Sequence, residues 1–188
     1  MANGTVKVVT PIFRASFVNV FTPRKNEQSG KDEYSIKMIF DKDEDFTDLK
    51  KIIQEAIRNK WGTNPPKGLK MPLKNGNESD LDKYPEDEDK IIANAKTLLA
   101  PPGVVDAQIQ PIIDPKEVYS GCYMRATLTA YAYDKGGGKG VAFGLQNLMK
   151  VKDGEPLTSR ATAESDFAAF AGASEQTTDT DDILGIGV

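Results

Sequence analysis

The chain has 188 residues, 28% charged and 39% apolar, enough for one packed core, and no apolar run reaches the roughly 20 residues that span a bilayer. It holds one cysteine, Cys122, and no histidine, which excludes an internal disulfide, a Ser–His–Asp or Cys–His nucleophile and the usual Cys/His zinc sites. The net charge of −4 is segregated: +5 over residues 1–75, −5 over 76–90, +2 over 91–160 and −6 over 161–188. Without the two acidic stretches the body carries +7, so a local basic face is expected despite a pI near 5.0. The start, MANGTVKVVTPIF, lacks a basic segment followed by a long apolar one, so no secretory signal is expected, and the lone cysteine fits a reducing cytosol.

From Thr5 to Thr22 the pattern predicts strand. Val6, Val8, Thr10 and Ile12 alternate, and after Pro11 the alternation moves to Phe13, Ala15, Phe17 and Phe21, which predicts a bulge or edge near Pro11. A basic loop follows over Pro23–Lys31, then a half-buried strand with Tyr34, Ile36, Met38 and Phe40 on one face. The spacing of Phe46, Leu49, Ile52, Ile53, Ala56 and Ile57 predicts a helix over Asp45–Trp61, capped by Asp45 and ended by Gly62, with Lys50, Lys51, Arg58 and Lys60 on its solvated face. Residues 63–103, rich in proline and acids, read as an irregular insertion with a short helix over Asp89–Leu98. Its Glu86–Asp89 run is a solvated loop rather than a metal cluster, because consecutive acids do not converge on one ion.

Val104–Ile113 reads as a strand and Tyr119–Gly121 as a turn, with Cys122 a small buried residue. From Cys122 to Asp134 alternation is cleanest: Met124, Ala126, Leu128, Ala130 and Ala132 on one face, and Tyr123, Arg125, Thr127, Thr129, Tyr131 and Tyr133 on the other. A flexible glycine-rich loop, Lys135–Gly140, leads to a last strand over Val141–Val151, and order is expected to end near Leu157. The loop lacks GxxxxGK[ST] and opens no helix, so it is not a nucleotide-binding P-loop. Residues 158–188 are rich in Ala, Ser, Thr, Asp and Gly, and are expected to form a disordered acidic tail.

Five or six strands with one helix fit a small closed barrel, mainly β, of the OB-fold type, occupying residues 1–157. That fold binds oligonucleotides on its second and third strands and in its 1–2 and 4–5 loops. The corresponding loops here supply Arg24, Lys25, Lys31, Lys135 and Lys139, and the polar strand face supplies Tyr123, Arg125, Tyr131 and Tyr133, with Lys37 on the neighbouring strand. Unpaired bases stack on aromatic rings at roughly 1–3 kcal/mol each, in any sequence, and lysine or arginine adds a salt-dependent phosphate term. Single-stranded DNA is therefore the expected ligand. No catalysis, cofactor, metal or membrane contact is expected.

The order and spacing of several short stretches resemble a family. They are Met71–Gly76, Pro102–Asp106, Tyr119–Cys122 running into Met124–Tyr133, Lys139–Val141, Gly144–Asn147 and Lys152–Leu157. Together they resemble phage single-stranded DNA-binding proteins, a group long filed as a phage domain of unknown function, over about residues 5–157. The resemblance implies an OB-fold and a role in replication or recombination in the host cytoplasm. The tail fits too: acidic Asp179, Asp181 and Asp182 precede apolar Ile183 and Leu184, a segment expected to compete with DNA and to dock phage or host replication proteins. It ends in Ile-Leu-Gly-Ile-Gly-Val, not in phenylalanine. The alternative is a phage structural or assembly adaptor with no DNA role.

Overall fold

The computed structural model describes residues 5–157 and 163–171. In the first of these units the strands are β1 (Val8–Val9), β2 (Phe13–Lys25), β3 (Asp32–Asp41), β4 (Lys74–Asn75), β5 (Lys90–Thr97), β6 (Gly103–Val105), β7 (Tyr123–Lys135) and β8 (Gly138–Lys152), with helix α1 (Thr47–Trp61) between β3 and β4. Five of them close a ring. β2 pairs antiparallel with β3 and β7, β3 antiparallel with β5, β5 parallel with β8, and β8 antiparallel with β7. β1 extends the ring at β7, and β6 continues the line of β5 along β8. This is the mainly β, OB-like architecture with one helix that the element order predicts.

Inward residues alternate as a ring requires. Phe13 and Ala15, Ile36, Met38 and Phe40, Ala93 and Ala95, Met124, Ala126 and Leu128, and Val141, Phe143 and Leu145 fill one core. Rings of Phe13, Phe40 and Phe46 meet edge-on at 5.6 and 5.4 Å between centroids, tying α1 to the barrel. α1 buries Leu49, Ile52, Ile53 and Ala56 and packs against β7, β1 and β8. It starts at Thr47 rather than Asp45, with Phe46 at the N-cap position, while the Asp45 carboxylate one residue earlier accepts the Thr47 N–H, and Gly62 ends it at φ +62°. The Thr47 hydrogen bonds hold the Asp45 carboxyl below its usual range. Cys122 is fully buried, and burial pushes its thiol up.

Several expectations are corrected. The segment expected to be a helix over Asp89–Leu98 is strand β5, the third strand of the ring, so the irregular stretch is 63–89 and 98–102. Ile91 and Ala95 are four residues apart, as on a helix, but eight consecutive residues pair with β3 and the tertiary pairing decides. Of the bulge or edge expected near Pro11, the structure shows a strand break over Thr10–Ile12, where the Thr10 side chain and carbonyl serve β7. β2 runs on through Arg24 and Lys25, so the basic loop shortens to 26–31. The glycine-rich loop is a two-residue turn: Gly136 and Gly137 have φ of +61° and +78°, the twist a tight hairpin needs. Of the expected Val104–Ile113 strand only Val104 and Val105 pair with β8, and the chain then folds back so that the Ile112 N–H donates to the Val104 carbonyl.

Residues 163–171 form a separate unit. Ala163–Phe167 is a short helix, α2, and a 3-10 turn follows over Ala168–Phe170, with Phe167 and Phe170 exposed. Alanine, with the best helix propensity, and the absence of proline favour the short helix within this part of the tail. Asp179, Asp181, Asp182, Ile183 and Leu184 lie outside the described residues.

Candidate nucleic-acid interface

The most distinctive backbone feature lies on β2. Ser16 pairs with Lys37 and Asn19 with Ser35, so β2 spends three residues where β3 spends two. The extra residue makes a bulge, and Phe17 takes φ +47°. Parity alone puts Phe17 inward with Phe13 and Ala15. The bulge turns it outward and leaves it 46% exposed. A left-handed conformation costs a non-glycine residue about 1–2 kcal/mol, which makes an exposed phenylalanine held there a candidate functional residue.

A second ring meets it. Tyr84, at the start of the 3-10 turn Pro85–Asp87, sits edge-on to Phe17 with centroids 5.7 Å apart and planes at 76°. Three residues on, Asp87 is completely buried, and its Oδ2 accepts a hydrogen bond from the Lys37 ammonium at 2.7 Å. The same ammonium lies 4.7 Å from the Tyr84 centroid and 5.8 Å from that of Phe17.

The two rings stand beside a groove across the outer faces of β3 and β5. Phe17, Arg24, Glu33, Ser35, Lys37, Asn94, Lys96 and Ala142 line it. Ser35 and Asn94 offer neutral hydrogen-bonding groups on its floor. Arg24 is exposed, and Lys96 pairs with Glu33 at 3.0 Å. Burial pushes the Glu33 carboxyl up, but hydrogen bonds from Asn26 and Lys96 and the charges of Lys96 and Arg24 outweigh it and hold it below the usual range. That carboxylate therefore stays ionised, fixing the Lys96 side chain at the groove's edge.

The residues expected to form the site meet different surroundings. Lys37 lines the groove on the outer side of β3 but is 7% exposed, its ammonium paired with the Asp87 carboxylate at 2.7 Å. Lys25 pairs with Asp32 at 2.7 Å and Lys139 with Asp134 at 3.3 Å, both on the surface, where such pairs are weak and exchangeable. Arg24, Lys31 and Lys135 are exposed. The four β7 residues share one strand face, as alternation predicts, yet do not form one surface. Tyr123 lies under Gly154 with the Lys152 ammonium 4.8 Å from its centroid. The Arg125 guanidinium donates to the Thr10 carbonyl at 3.0 Å. Tyr131 faces a cleft beside Ile52 and Ala56 of α1. Tyr133 crosses Gly140, where a side chain would strike its hydroxyl and the Lys70 backbone, and Lys70 brings its ammonium to the hairpin at Gly138. Tyr131 pairs with Ala142, which lines the groove, and Tyr133 with Gly140 two residues away, so this end of β7 adjoins the groove.

Phe17 and Tyr84 escape the sequence reading for different reasons. Nothing in the alternation signals the bulge at Phe17. Tyr84 stands in an acidic run that reads as a solvated loop, although an aromatic inside such a run is itself a signal of packing or binding. Among the described residues, no group of three or more acids and thiols converges to hold a metal, and no helix is long and apolar enough to cross a membrane.

Comparison with known proteins gives the same architecture. The single-stranded DNA-binding protein of bacteriophage Enc34, solved in complex with ssDNA, superposes with a TM-score of 0.67 at 23% identity, covering 81% of this chain and 89% of that one. The same Enc34 protein in another structure gives 0.64 at 22% identity, covering 86% and 89%. The gp2.5 single-stranded DNA-binding protein of bacteriophage T7 gives 0.61 at 15% identity, covering 93% and 98%. At these identities the likeness establishes the fold. In sequence, the putative protein p50 of Acyrthosiphon pisum secondary endosymbiont phage 1 is 25% identical over 162 residues, 80% of this chain and 85% of p50. The family model described as Enterobacter phage Enc34, ssDNA-binding protein, matches residues 6–184, nearly the whole chain. With the ring topology and the matched residues together, this chain belongs to the Enc34 single-stranded DNA-binding protein family.

Proposed function

We propose that this protein binds single-stranded DNA in the β3–β5 groove, without reading its sequence and without catalysis, and coats it during phage replication or recombination in the host cytoplasm. The observation that carries this reading is Phe17, turned outward by a bulge to face Tyr84 beside Arg24 and Lys96. Bases stack on the two rings. Arg24, Lys31, Lys96, Lys135 and Lys139 meet phosphates, with Tyr133 continuing the track at the hairpin. Oligonucleotides of different composition are expected to bind within about tenfold of one another, since stacking is sequence-tolerant. With about three to five phosphates neutralised, log K is expected to fall against log salt with a slope of about −2 to −3.5. Fluorescence anisotropy with dT and mixed oligonucleotides at several salt concentrations tests this. Binding confined to one sequence, or independent of salt, contradicts it.

The segment 161–188 carries six acids and no base, so it acts as a tethered polyanion that competes with DNA for the basic body. A chain ending at residue 160 is expected to bind ssDNA about threefold to tenfold more tightly at low salt, the gain shrinking as salt screens exposed charge. Equal affinities of the two forms at both salt levels remove the competition. Asp179, Asp181, Asp182, Ile183 and Leu184 then serve to dock replication proteins, for which a pull-down with Ile183 and Leu184 changed to serine is the test.

A further inference from the structure

We infer that Lys37 and Asp87 form a positioning pair for the groove: their buried ion pair sets the Phe17 and Tyr84 rings for stacking and does not itself touch phosphate. This rests on the ssDNA reading above. Lys37 points away from the core, between inward Ile36 and Met38, opposite Asn94 of β5. A lysine at such a place ordinarily reaches water and is free for phosphate. Here its Nζ turns to Asp87, which is 0% exposed and whose second oxygen, Oδ1, has no hydrogen-bond partner among the described residues. Burying a charge pair is costly, and a pair leaving a lone pair unsatisfied is poorly explained by stability alone. Its geometric consequence is direct. Asp87 follows Tyr84 by three residues, and its N–H donates to the Tyr84 carbonyl at 3.1 Å, so fixing the Asp87 carboxylate fixes the start of the turn that carries the ring. The Lys37 ammonium then lies against both rings from below, at 4.7 and 5.8 Å. A phosphate seeking Lys37 would have to displace a carboxylate that is already in its place. The pair thus prepays the ordering of two aromatic side chains before DNA arrives.

The test removes both charges together, Lys37→Met with Asp87→Leu, so that no orphan charge stays buried, with circular dichroism confirming the fold. Affinity for a dT oligonucleotide is expected to fall about tenfold, with the slope of log K against log salt unchanged. In a background with Phe17→Ala and Tyr84→Ala together, the same pair of changes is expected to cost no more than about twofold, because both rings it positions are gone. A slope shallower by about 0.7, the value of one single-strand phosphate contact, overturns the proposal in favour of direct contact. Unchanged affinity, or a full tenfold loss in the background lacking both rings, overturns it in favour of a purely structural pair. Should the double variant not fold, amine-reactive footprinting of the unmodified protein decides. Lys37 is expected to be unreactive with and without oligonucleotide, whereas Lys31 and Lys96 become protected on binding. A Lys37 that reacts freely and is protected by DNA overturns the proposal. Failure of the unmodified protein to bind any oligonucleotide overturns the ssDNA reading itself. The other outcomes overturn the positioning role alone.

Discussion

Changing Phe17 and Tyr84 together to alanine is expected to weaken ssDNA binding by about 2–5 kcal/mol, some thirtyfold at the least, at unchanged salt dependence. Each base stacked on an aromatic ring is worth roughly 1–3 kcal/mol, and Phe17 lines the groove with Tyr84 edge-on to it at 5.7 Å. Neither ring carries charge, so the number of neutralised phosphates is untouched and the slope against salt stays as it was. Phe17→Gly sharpens the test. Glycine takes φ +47° without the Cβ penalty, which offsets part of the packing lost with the ring, so thermal stability is expected to change little while affinity falls. A stability defect therefore does not account for the loss. Tyr123→Ala serves as the comparison, since that ring is packed against Gly154 and Lys152. Its removal is expected to lower the thermal midpoint and leave affinity within about twofold. Losses for Tyr123, Tyr131 and Tyr133 that exceed those for Phe17 and Tyr84 move the DNA onto the outer face of β7.

The parts of the fold legible in the sequence are those where local pattern and tertiary environment agree. β7 alternates cleanly over Tyr123–Leu128 because one face lies on the core, and α1 carries its apolar stripe and its glycine end signal. β5 is illegible because Lys90–Thr97 reads as well on a helical period as on a strand one. Only its pairing with β3 on one side and β8 on the other settles it, and that pairing is non-local. The hairpin at Gly136–Gly137 was within reach, since two glycines between alternating runs are a turn signal.

The site was half legible, for a related reason. Charge placement and fold class point to loops in which Arg24, Lys31 and Lys135 are exposed. The aromatic half of the candidate site depends on one inserted residue. A single bulge reverses which face Phe17 occupies, and no periodicity survives a shift of one residue. Lys37 differs in the opposite sense. Its parity is right and it does face outward, but the loop from Gly76 to Asp89 folds over it, and a covering loop leaves no trace in the strand's own alternation. Net charge per segment misleads here as well: the acidic stretch 76–90 reads as repelling DNA, yet Asp87 is spent on Lys37, and Asp89 on Lys42 at 2.5 Å.

Gly76→Ala is expected to damage both stability and binding, and to do so from outside the groove. Gly76 closes the Met71–Gly76 stretch and is buried where the chain crosses the segment that bears Asp87. A Cβ there would fall inside contact distance of the Asp87 carbonyl oxygen and 2.9 Å from that of Lys90. Both obstacles are backbone, so no side-chain rotation relieves the clash. The backbone over 85–90 has to move, and such overpacking typically costs about 1–3 kcal/mol. That segment is also held by Asn77, whose side-chain carbonyl accepts the Asp89 N–H at 2.8 Å, so the displacement is not absorbed by a slack loop. The movement reaches Asp87 first, then Tyr84 through the turn between them, and last the Phe17 ring that Tyr84 abuts. The thermal midpoint is expected to drop and ssDNA affinity to fall about fivefold to twentyfold, with the salt slope retained because Arg24, Lys31 and the hairpin lysines stay in place. Gly62→Ala is the matching control: its Cβ meets nothing within 4 Å, so only the left-handed backbone at φ +62° is penalised. It is expected to cost about 1 kcal/mol of stability and to leave DNA binding unchanged. Affinity preserved in Gly76→Ala at a temperature where the protein is folded would separate the 76–90 segment from the DNA site, and would leave Phe17 as the stacking residue without Tyr84.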